Sequence, residues 1–299
     1  MMHLLSANDL SKDAISRILD IADRLAKDSE DAGIKEHAVL TMFFEKPSTR
    51  TRLSFEAAIA QLGGSAVYID PSTSQRSRGE TLADTAKMLS LYSDFIAARL
   101  YKHGDLKEIA KNATVPVINA LTDIEHPTQA LADIYTVRAH KKLKGLRIAF
   151  VGDIANNTAT SLMITAAKLG IEVVLVGPKD CKPNPWAVTA ARGYAKIVVT
   201  DSLEEGLEDA DIIYTDTFVS MGEEKETEGR KKLFAPYQVN SKAVGYAKKD
   251  ALVMHCLPAH RGEEITGDVL DGPKSIAVEQ AGNKLLINKA ILVYLSQKQ

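Results

Sequence analysis

Cysteine is scarce in this sequence, which contains only Cys181 and Cys256 among its 299 residues. Two cysteines so far apart form no disulfide framework, so a small disulfide-bonded secreted scaffold is excluded. The same scarcity favours a reducing compartment, and we expect a cytoplasmic protein.

Long apolar runs and an excess of one charge are also missing. No apolar run reaches the ~20 residues that a membrane-spanning helix needs, and the start, "MMHLLSANDL", does not resemble a signal peptide. The formal net charge is −2, which indicates neither nucleic acid nor a membrane as a partner. Basic residues therefore have to be interpreted in their local context.

What the sequence does contain is a regular alternation of short apolar runs with helical patterns. This alternation is typical of parallel sheets with helices on both faces, and the chain is long enough for two domains. We predict an α/β fold with two doubly wound domains, each with a mostly parallel sheet flanked by helices. The predicted strands are 38–44, 65–70, 95–100, 115–120, 146–153, 172–178, 196–200, 211–217, 251–258 and, at the end of the series, 275–280.

The boundary between the domains is predicted within 126–145, which reads as one long helix without a Pro, Gly or Ser linker. We predict domains at 1–138 and 139–282, with the final helix, 283–299, a candidate to pack back onto the first domain. Ligands of open parallel sheets bind beyond the carboxyl ends of the strands. We therefore expect the polar clusters at those ends to face one cleft.

One such cluster, "PSTRTR", follows the first predicted strand and opens a helix. Free N–H groups and the positive end of the dipole make a helix start suitable for a phosphate. Arg50 is the candidate ligand, because Arg52 has Glu56 at i+4 and is predicted to pair with it. An ordinary N-cap followed by surface arginines is an equal alternative for this segment alone.

Three further residues favour the anion site. Arg99 ends an apolar strand, where a charge is costly unless it is paired. His126 and Gln129 lie in the first turn of the helix "HPTQALADIY", where Pro127 suits the first helical position, and at i and i+3 they share a face. Together these residues predict an anion bound by two helix starts, two arginines, an imidazole and an amide.

The motifs "STRTR" (48–52), "HPTQ" (126–129), "YTDTFVSMG" (214–222) and "HCLP" (255–258), in this order, closely resemble the ornithine carbamoyltransferases. The resemblance covers nearly the whole chain, and "SMG" and "HCLP" point to ornithine rather than aspartate. It implies transfer of the carbamoyl group of carbamoyl phosphate to L-ornithine, giving L-citrulline and phosphate. It also implies a homotrimer without metal or organic cofactor.

The resemblance assigns residues to both substrates. For L-ornithine it implies Asn157, Asp216, Ser220 and Met221, and for the region beside the reacting amine Cys256 and Leu257, which also border carbamoyl phosphate. For carbamoyl phosphate it implies Ser48, Thr49, Arg50, Thr51, Arg99, His126, Pro127, Thr128 and Gln129, with Gln75 from a neighbouring chain. One departure stands out, since Lys284 in "AVEQAGNKLL" occupies the place of a family arginine. Lysine keeps the charge there but loses the planar two-pronged donor.

The implied reaction needs a neutral amine, whereas a free alkyl amine has a pKa near ~10.4. Arg50, Arg99 and His126 are the expected stabilisers of the oxyanion and the leaving group. Cys256 is expected to orient the amine, polarised by Asp216, without forming a covalent intermediate. We also read 220–232, "SMGEEKETEGRKK", as a lid that closes on ornithine.

Other functions are kept as alternatives. "GD" and "NN" after "LRIAFVG" suggest a dinucleotide fold, but the sequence has no GxGxxG motif. A zinc site of His255, Cys256 and His260 is disfavoured, because strand alternation turns the first two to opposite faces. A related amine acceptor such as putrescine, and a non-catalytic protein that binds an anionic metabolite, also stay open. Cys181 is predicted to be incidental and without a partner.

Overall fold

The structure is a computed structural model, and it describes residues 2–27, 33–219 and 227–298. The strands are β1 (Val39–Phe44), β2 (Ser65–Ile69), β3 (Phe95–Arg99), β4 (Val117–Leu121), β5 (Arg147–Val151), β6 (Glu172–Val176), β7 (Ile197–Thr200), β8 (Ile212–Thr215) and β9 (Leu252–His255). The α-helices are α1 (Lys12–Lys27), α2 (Thr49–Gln61), α3 (Leu82–Tyr92), α4 (His103–Asn112), α5 (Pro127–His140), α6 (Asn157–Lys168), α7 (Pro185–Arg192), α8 (Leu203–Leu207), α9 (Thr227–Phe234), α10 (Ser241–Tyr246), α11 (Gly267–Leu270) and α12 (Ala277–Ser296). Short 3-10 helices span Ala7–Asp9, Pro71–Thr73, Gln75–Arg78 and Ala235–Tyr237.

The chain divides into two compact units. The first unit comprises Met1–Ala132 and Asn283–Gln299, and the second comprises Asp133–Gly282. Helices α5 and α12 each carry the chain from one unit to the other. Residues 133–138 therefore lie in the second unit, and the end of α12 lies in the first.

The first unit contains a four-stranded sheet in the order β2-β1-β3-β4. All of its strand pairs are parallel. The chain first moves outward from β1 to β2 and then returns to the other side of β1 with β3. The strand order thus reverses between β1 and β3, and ligands of doubly wound folds bind at such switch points.

The second unit contains a five-stranded parallel sheet in the order β7-β6-β5-β8-β9. Its switch point lies between β5 and β8. Every residue of the central strands β3 and β8 is buried, as expected for parallel sheets flanked by helices, whereas the edge strands β2 and β7 keep exposed residues. The predicted α/β fold with two doubly wound parallel sheets is confirmed.

Each unit has an apolar core of its own. In the first, Phe43 and Ile96 of the sheet pack with Leu89 of α3 and Leu106 of α4. Burying one such side chain fully contributes about 1.5–3 kcal/mol. In the second, residues of four strands pack with residues of five α-helices and of the segments between them, including Val151, Val176, Ile213, Phe218, Phe234 and Val269.

The predicted strand at 275–280 is wrong. Ser275 forms only an isolated bridge with Val253, the N–H of Ile276 donates to the carbonyl of Val253, and α12 begins at Ala277. Val278 is largely exposed. A six-residue apolar segment can be read as a strand or as the first turns of a helix, and here the helix continues for 20 residues.

Candidate active site

The start of α2 has the geometry of an anion-binding helix N-terminus. Ser48 is the N-cap, in an extended conformation with φ −161°, and its Oγ accepts a hydrogen bond from the Thr51 N–H at 3.3 Å. Thr51 is buried, whereas Thr49 and Arg50 are exposed. The cap satisfies one of the free N–H groups of the first turn, and Arg50 projects from that same turn.

Arg52 does not belong to this site. Its Nε donates to Glu56 Oε1 at 2.8 Å, and its guanidinium lies 3.9 Å from the centroid of the Tyr68 ring. The predicted pairing of Arg52 with Glu56 is confirmed. Arg50, by contrast, forms no ion pair with a carboxylate among the described residues.

Arg99 lies on the other side of the switch point of the first unit. It pairs in register with Phe44 at the end of β1 and is only 5% exposed. Its Nε is buried and has no hydrogen-bond partner in the described part of the chain. Burial, followed by the positive charge of Arg50, lowers the pKa of Arg99 to about 10. Two neighbouring arginines, one of them buried, form a site that an anion would stabilise.

His126, Gln129 and Lys284 extend this cluster. Lys284, on α12, is 4% exposed and donates to Gln129 Oε1 at 2.8 Å. Burial lowers the pKa of His126 well below its ordinary value, and the charges of Lys284 and Arg99 lower it further. The imidazole is therefore neutral at pH 7. The anion cluster is the name used below for Ser48, Thr49, Arg50, Thr51, Arg99, His126, Gln129 and Lys284.

Three other predicted residues of the first unit have clear positions. Pro127 is the first residue of α5, and Thr128 is buried with its Oγ1 3.3 Å from His126 Nδ1. Gln75 is exposed at the start of the 3-10 helix Gln75–Arg78. The described structure shows no hydrogen bond between Gln75 and the anion cluster.

The switch point of the second unit carries Asn157 and Asp216. Asn157 is the first residue of α6, and Asn156 is its N-cap. Asp216 follows β8. Its Oδ1 accepts from the Thr217 N–H at 2.8 Å, and its Oδ2 accepts from Asn156 Nδ2 at 3.2 Å.

Glycine is required at the turn that leads into this region. Gly152 has φ +113°, and a Cβ atom there would lie 2.9 Å from the ring of Phe218. The next residue, Asp153, accepts a hydrogen bond from Arg230 at 2.6 Å, and Arg230 also donates to the Phe218 carbonyl at 2.9 Å. These contacts hold the segments after β5 and β8 together.

Cys256 follows β9, which neighbours β8. The register pairs Thr215 with His255, so Asp216 and Cys256 follow at adjacent strand ends, and Cys256 is half-buried and not part of a disulfide. Burial, followed by the charges of Asp133, Cys256 and Asp216, raises the pKa of Tyr214 well above its ordinary value. The amino-acid cluster is the name used below for Asn156, Asn157, Asp216, Cys256 and Leu257.

His255 supports the turn that follows Cys256. The Leu257 N–H donates to His255 Nδ1 at 2.9 Å, so the proton of the neutral imidazole lies on Nε2, which is 3.1 Å from Glu264 Oε1. Leu257 has φ +56°, a conformation uncommon for a residue other than glycine. His255, the last residue of β9, is fully buried, whereas Cys256 beyond the strand end is half-buried.

The only candidate metal-ligand cluster in the described ranges consists of His260, Glu263 and Glu264. Lys231 Nζ is 2.5 Å from Glu263 Oε1, and Glu264 pairs with His255. An ion pair to Glu263 and a hydrogen bond to Glu264 therefore engage both carboxylates of this cluster, and it contains neither His255 nor Cys256 as a ligand.

Cys181 was predicted to have no partner, and this is wrong. Its Sγ–H donates to Asp153 Oδ1 at 3.3 Å, and burial, followed by the charge of Asp153, raises the pKa of the thiol to about 12. Ser220, Met221 and most of the predicted lid lie outside the described residues. No helix of the described ranges is both long and apolar enough to cross a membrane.

Comparison with known proteins decides the family. Residues 2–139 match the carbamoyl-P binding domain of aspartate/ornithine carbamoyltransferases, and residues 144–295 match the Asp/Orn binding domain. The chain belongs to the aspartate/ornithine carbamoyltransferase family.

Individual relatives within this family are similar over nearly their whole length. The Bacillus subtilis ornithine carbamoyltransferase is 48% identical over 295 residues, which are 97% of this chain and 92% of that protein. The solved structure of the Pyrococcus furiosus ornithine carbamoyltransferase is 44% identical, has a TM-score of 0.92 and covers 99% of this chain and 97% of its own. The anabolic enzyme of Campylobacter jejuni gives a TM-score of 0.95 at 39% identity, with both chains fully covered.

Sequence reasoning missed several buried residues around these clusters. Gln280 Nε2 donates to Asp133 Oδ1 at 2.7 Å, and Gln280 Oε1 accepts from the His255 N–H at 3.0 Å. Asp133 lies 147 positions from Gln280 in sequence, and His255 lies 25 positions from it. No local sequence pattern indicates contacts over such distances. Asn156 had a usable signal, because an asparagine just before a helix is a typical N-cap.

Proposed function

We propose that this chain is an ornithine carbamoyltransferase, which transfers the carbamoyl group of carbamoyl phosphate to the δ-amine of L-ornithine and releases L-citrulline and phosphate. The observation that carries the proposal is the buried Arg99, whose Nε has no partner among the described residues and whose neighbours include Arg50. A buried guanidinium fork suits an oxyanion such as phosphate or a polarised carbonyl oxygen. The family of the chain supplies the reaction that uses it.

In this proposal the anion cluster binds carbamoyl phosphate. The phosphate lies at the start of α2, where Ser48, Thr49, Arg50 and Thr51 provide hydroxyls, N–H groups and a cation. Arg99, His126 and Gln129 reach the carbamoyl end, together with Pro127 and Thr128. Lys284 is part of this pocket, and its contact with Gln129 supports that placement.

The amino-acid cluster binds L-ornithine. Asn157 binds the α-carboxylate, and Asp216 binds the α-ammonium. Ser220 and Met221 complete the amino-acid site. Cys256 and Leu257 lie beside the δ-amine. Putrescine, the competing acceptor, has no carboxylate for Asn157 to bind.

The chemistry follows from these assignments. The δ-ammonium first loses one proton to water, and the neutral amine attacks the carbonyl carbon. The attack forms a C–N bond and a tetrahedral oxyanion, and the nitrogen then passes its second proton to the departing phosphate. Arg99 and the neutral His126 stabilise that oxyanion. The C–O bond to phosphate then breaks, and the leaving group keeps the electron pair next to Arg50 and the positive end of α2. Binding both substrates in one complex supplies much of the acceleration.

The test is a direct assay of the purified chain. Carbamoyl phosphate is supplied with L-ornithine, putrescine or L-aspartate, and each carbamoylated product is measured separately. We expect citrulline to form much faster than the other products. Faster carbamoylation of putrescine would identify putrescine rather than L-ornithine as the acceptor. The absence of any product would favour a non-catalytic binding protein.

We further propose a homotrimer in which Gln75 completes the anion cluster of a neighbouring chain. Gln75 is exposed in a segment rich in small and basic residues, and a three-fold ring brings different surfaces of two neighbours together. Gln75→Glu and Arg99→Ala should each be nearly inactive. Reassembled in equal amounts, their random trimers should have roughly one intact site in four. Mixed trimers without regained activity would place Gln75 outside the neighbour's site.

The reaction direction and compartment are also proposals. Relatives from Pyrococcus furiosus and Campylobacter jejuni are named anabolic, which supports citrulline synthesis as the direction, within arginine biosynthesis. Neither cysteine forms a disulfide, which supports the cytoplasm as the compartment.

A further inference from the structure

We propose that Asn156 is a positioning residue that sets the orientation of Asp216 for L-ornithine. The inference rests on the proposed function and concerns a residue next to, and distinct from, the assigned ligand Asn157. Asn156 is 8% exposed and lies between β5 and α6. One side chain makes two contacts, one to its own helix and one across the switch point of the second unit.

The orientation of the Asn156 amide follows from its first contact. Asn156 Oδ1 accepts the N–H of Ala159 at 2.7 Å, and a backbone N–H can only donate. The oxygen of the amide is thereby identified, although oxygen and nitrogen atoms of an amide are otherwise hard to distinguish. Nδ2 must then face Asp216 Oδ2, at 3.2 Å, as a donor to a carboxylate.

The hydrogen bond from Asn156 to Asp216 ties the carboxylate to a different part of the chain, which the other hydrogen bond to this carboxylate does not do. The Thr217 N–H, which donates to Oδ1 at 2.8 Å, belongs to the same loop as Asp216 and would move with it. Asn156 is 60 positions away in sequence, and its own position is set by the N-terminus of α6. Its hydrogen bond therefore fixes the carboxylate relative to that helix.

The helix that fixes Asp216 also begins with Asn157. Asn157 and Asp216 are the residues expected to bind the carboxylate and the ammonium of the α-amino acid group. The peptide bond between Asn156 and Asn157 and the hydrogen bond from Asn156 to Asp216 together fix the distance between them. A free carboxylate at this position could rotate away from the ammonium of L-ornithine. A hydrogen bond to a charged group is stronger than one between neutral groups, so it resists that rotation.

The competing explanation is that Asn156 serves only as a helix cap. The two roles can be separated, because asparagine, aspartate and serine are about equally good N-caps. Asn156→Ser keeps a capping oxygen but is too short to replace the Nδ2–H donor. Asn156→Asp also keeps the cap and places a second carboxylate against Asp216.

Asn240 is the matched control. It is the N-cap of α10, and its Oδ1 accepts the Ala243 N–H at 3.0 Å. Its Nδ2 faces the neutral Gln238 Oε1 at 3.4 Å rather than a carboxylate. Asn240→Ser and Asn240→Asp therefore repeat the same changes at a cap of the same unit without touching Asp216.

The experiment measures citrulline formation by the full-length chain over a range of L-ornithine and carbamoyl phosphate concentrations. We expect Asn156→Ser to lower kcat/KM for L-ornithine about tenfold to a hundredfold, the loss typical of a missing hydrogen bond to a charged group. The KM for carbamoyl phosphate and the midpoint of thermal unfolding should match those of Asn240→Ser. In an Asp216→Ala background, Asn156→Ser should have little further effect.

Asn156→Asp adds a readout that a capping role would not change. Two facing carboxylates raise the apparent pKa of the pair, and the protonated pair again has a donor between its oxygens. The ratio of its kcat/KM to that of the wild type should therefore be low at pH 8 and rise as the pH falls. The corresponding ratio for Asn240→Asp should not depend on pH.

The possible results separate the two proposals. A wild-type chain that makes no citrulline overturns the proposed function. An active wild type whose Asn156→Ser variant keeps kcat/KM within about twofold of Asn240→Ser overturns the positioning role alone. If Asn156→Asp does not fold, Asn156→Ser and the Asp216→Ala background still decide the question.

Discussion

Replacing Lys284 with methionine is expected to weaken carbamoyl phosphate binding without unfolding the first unit. Lys284 is buried on α12, donates to Gln129 and lowers the pKa of His126 through its charge. Methionine has a similar length and suits an apolar environment, so the change removes mainly the charge and the donor. The remaining cations of the anion cluster are Arg50 and Arg99.

The size of the effect follows from the contact that is lost. A hydrogen bond to a charged group contributes about 1.5–3 kcal/mol, which corresponds to roughly a tenfold to hundredfold increase in the Kd for carbamoyl phosphate. Stability should change less, because the cost of losing the donor to Gln129 is offset by removing a buried ammonium. His126 should titrate at a higher pH in the variant, since one neighbouring positive charge is gone.

Lys289 provides a control on the same helix. It is 3% exposed, and its Nζ also donates to a glutamine oxygen, Gln61 Oε1, at 3.4 Å. Lys289→Met therefore repeats the loss of a buried lysine bound to a glutamine, away from the anion cluster. Lys284→Arg should retain binding, because it restores the charge and adds a planar fork.

The assay is calorimetric titration with carbamoyl phosphate, supported by steady-state kinetics. The reasoning fails if Lys284→Met binds carbamoyl phosphate within about twofold of Lys289→Met while both variants are folded. In that case Lys284 would serve only the packing of α12, and the missing family arginine would have no substitute in this chain.

Three other predictions concern the same clusters. Arg50→Ala should lower kcat/KM for carbamoyl phosphate by at least about a hundredfold with little change in the unfolding midpoint, because a charge-assisted contact to phosphate is lost; near-normal turnover would refute the assignment. Cys256→Ser should raise the KM for L-ornithine more than that for carbamoyl phosphate, because Cys256 belongs to the amino-acid cluster; the opposite order in the kinetics would contradict this. The pKa of His126 is lowered in the folded chain, so below about pH 6.5 the unfolded chain binds a proton that the folded chain does not. The free energy of unfolding should therefore decrease as the pH decreases, by up to about 1.4 kcal/mol per pH unit. Denaturant titrations of His126→Gln should show a shallower fall between pH 7 and 5, and an unchanged slope would assign the effect to other groups.

Sequence patterns predicted the strands well because both sheets are parallel and their central strands are buried. The predicted runs 65–70 and 95–100, for example, became Ser65–Ile69 and Phe95–Arg99. The pairing of Arg52 with Glu56 was also predictable, since an i,i+4 contact on a helix depends only on local spacing.

Other features depend on contacts that the sequence does not display. The link from Gln280 to Asp133 joins two helices far apart in the chain, and the place where α5 passes between the units lies inside a continuous helix. Helical periodicity continues through that point, so it cannot mark where the packing partners of the helix change. The double role of Asn156 was hidden for a similar reason, because a local cap explains the residue fully until its distant partner is known.

The return of α12 to the first unit has a consequence for biosynthesis. A ribosome makes residues 1–132 first, then the whole second unit, and only afterwards the segment that carries Lys284, Asn288 and Lys289. Asn288 donates to Ser54 Oγ at 2.9 Å, so α2, which carries Arg50 in its first turn, receives this partner last. We therefore expect the first unit to lack its final helix until synthesis has passed through the whole second unit. The order in which the units are completed is then the reverse of the order in which they begin.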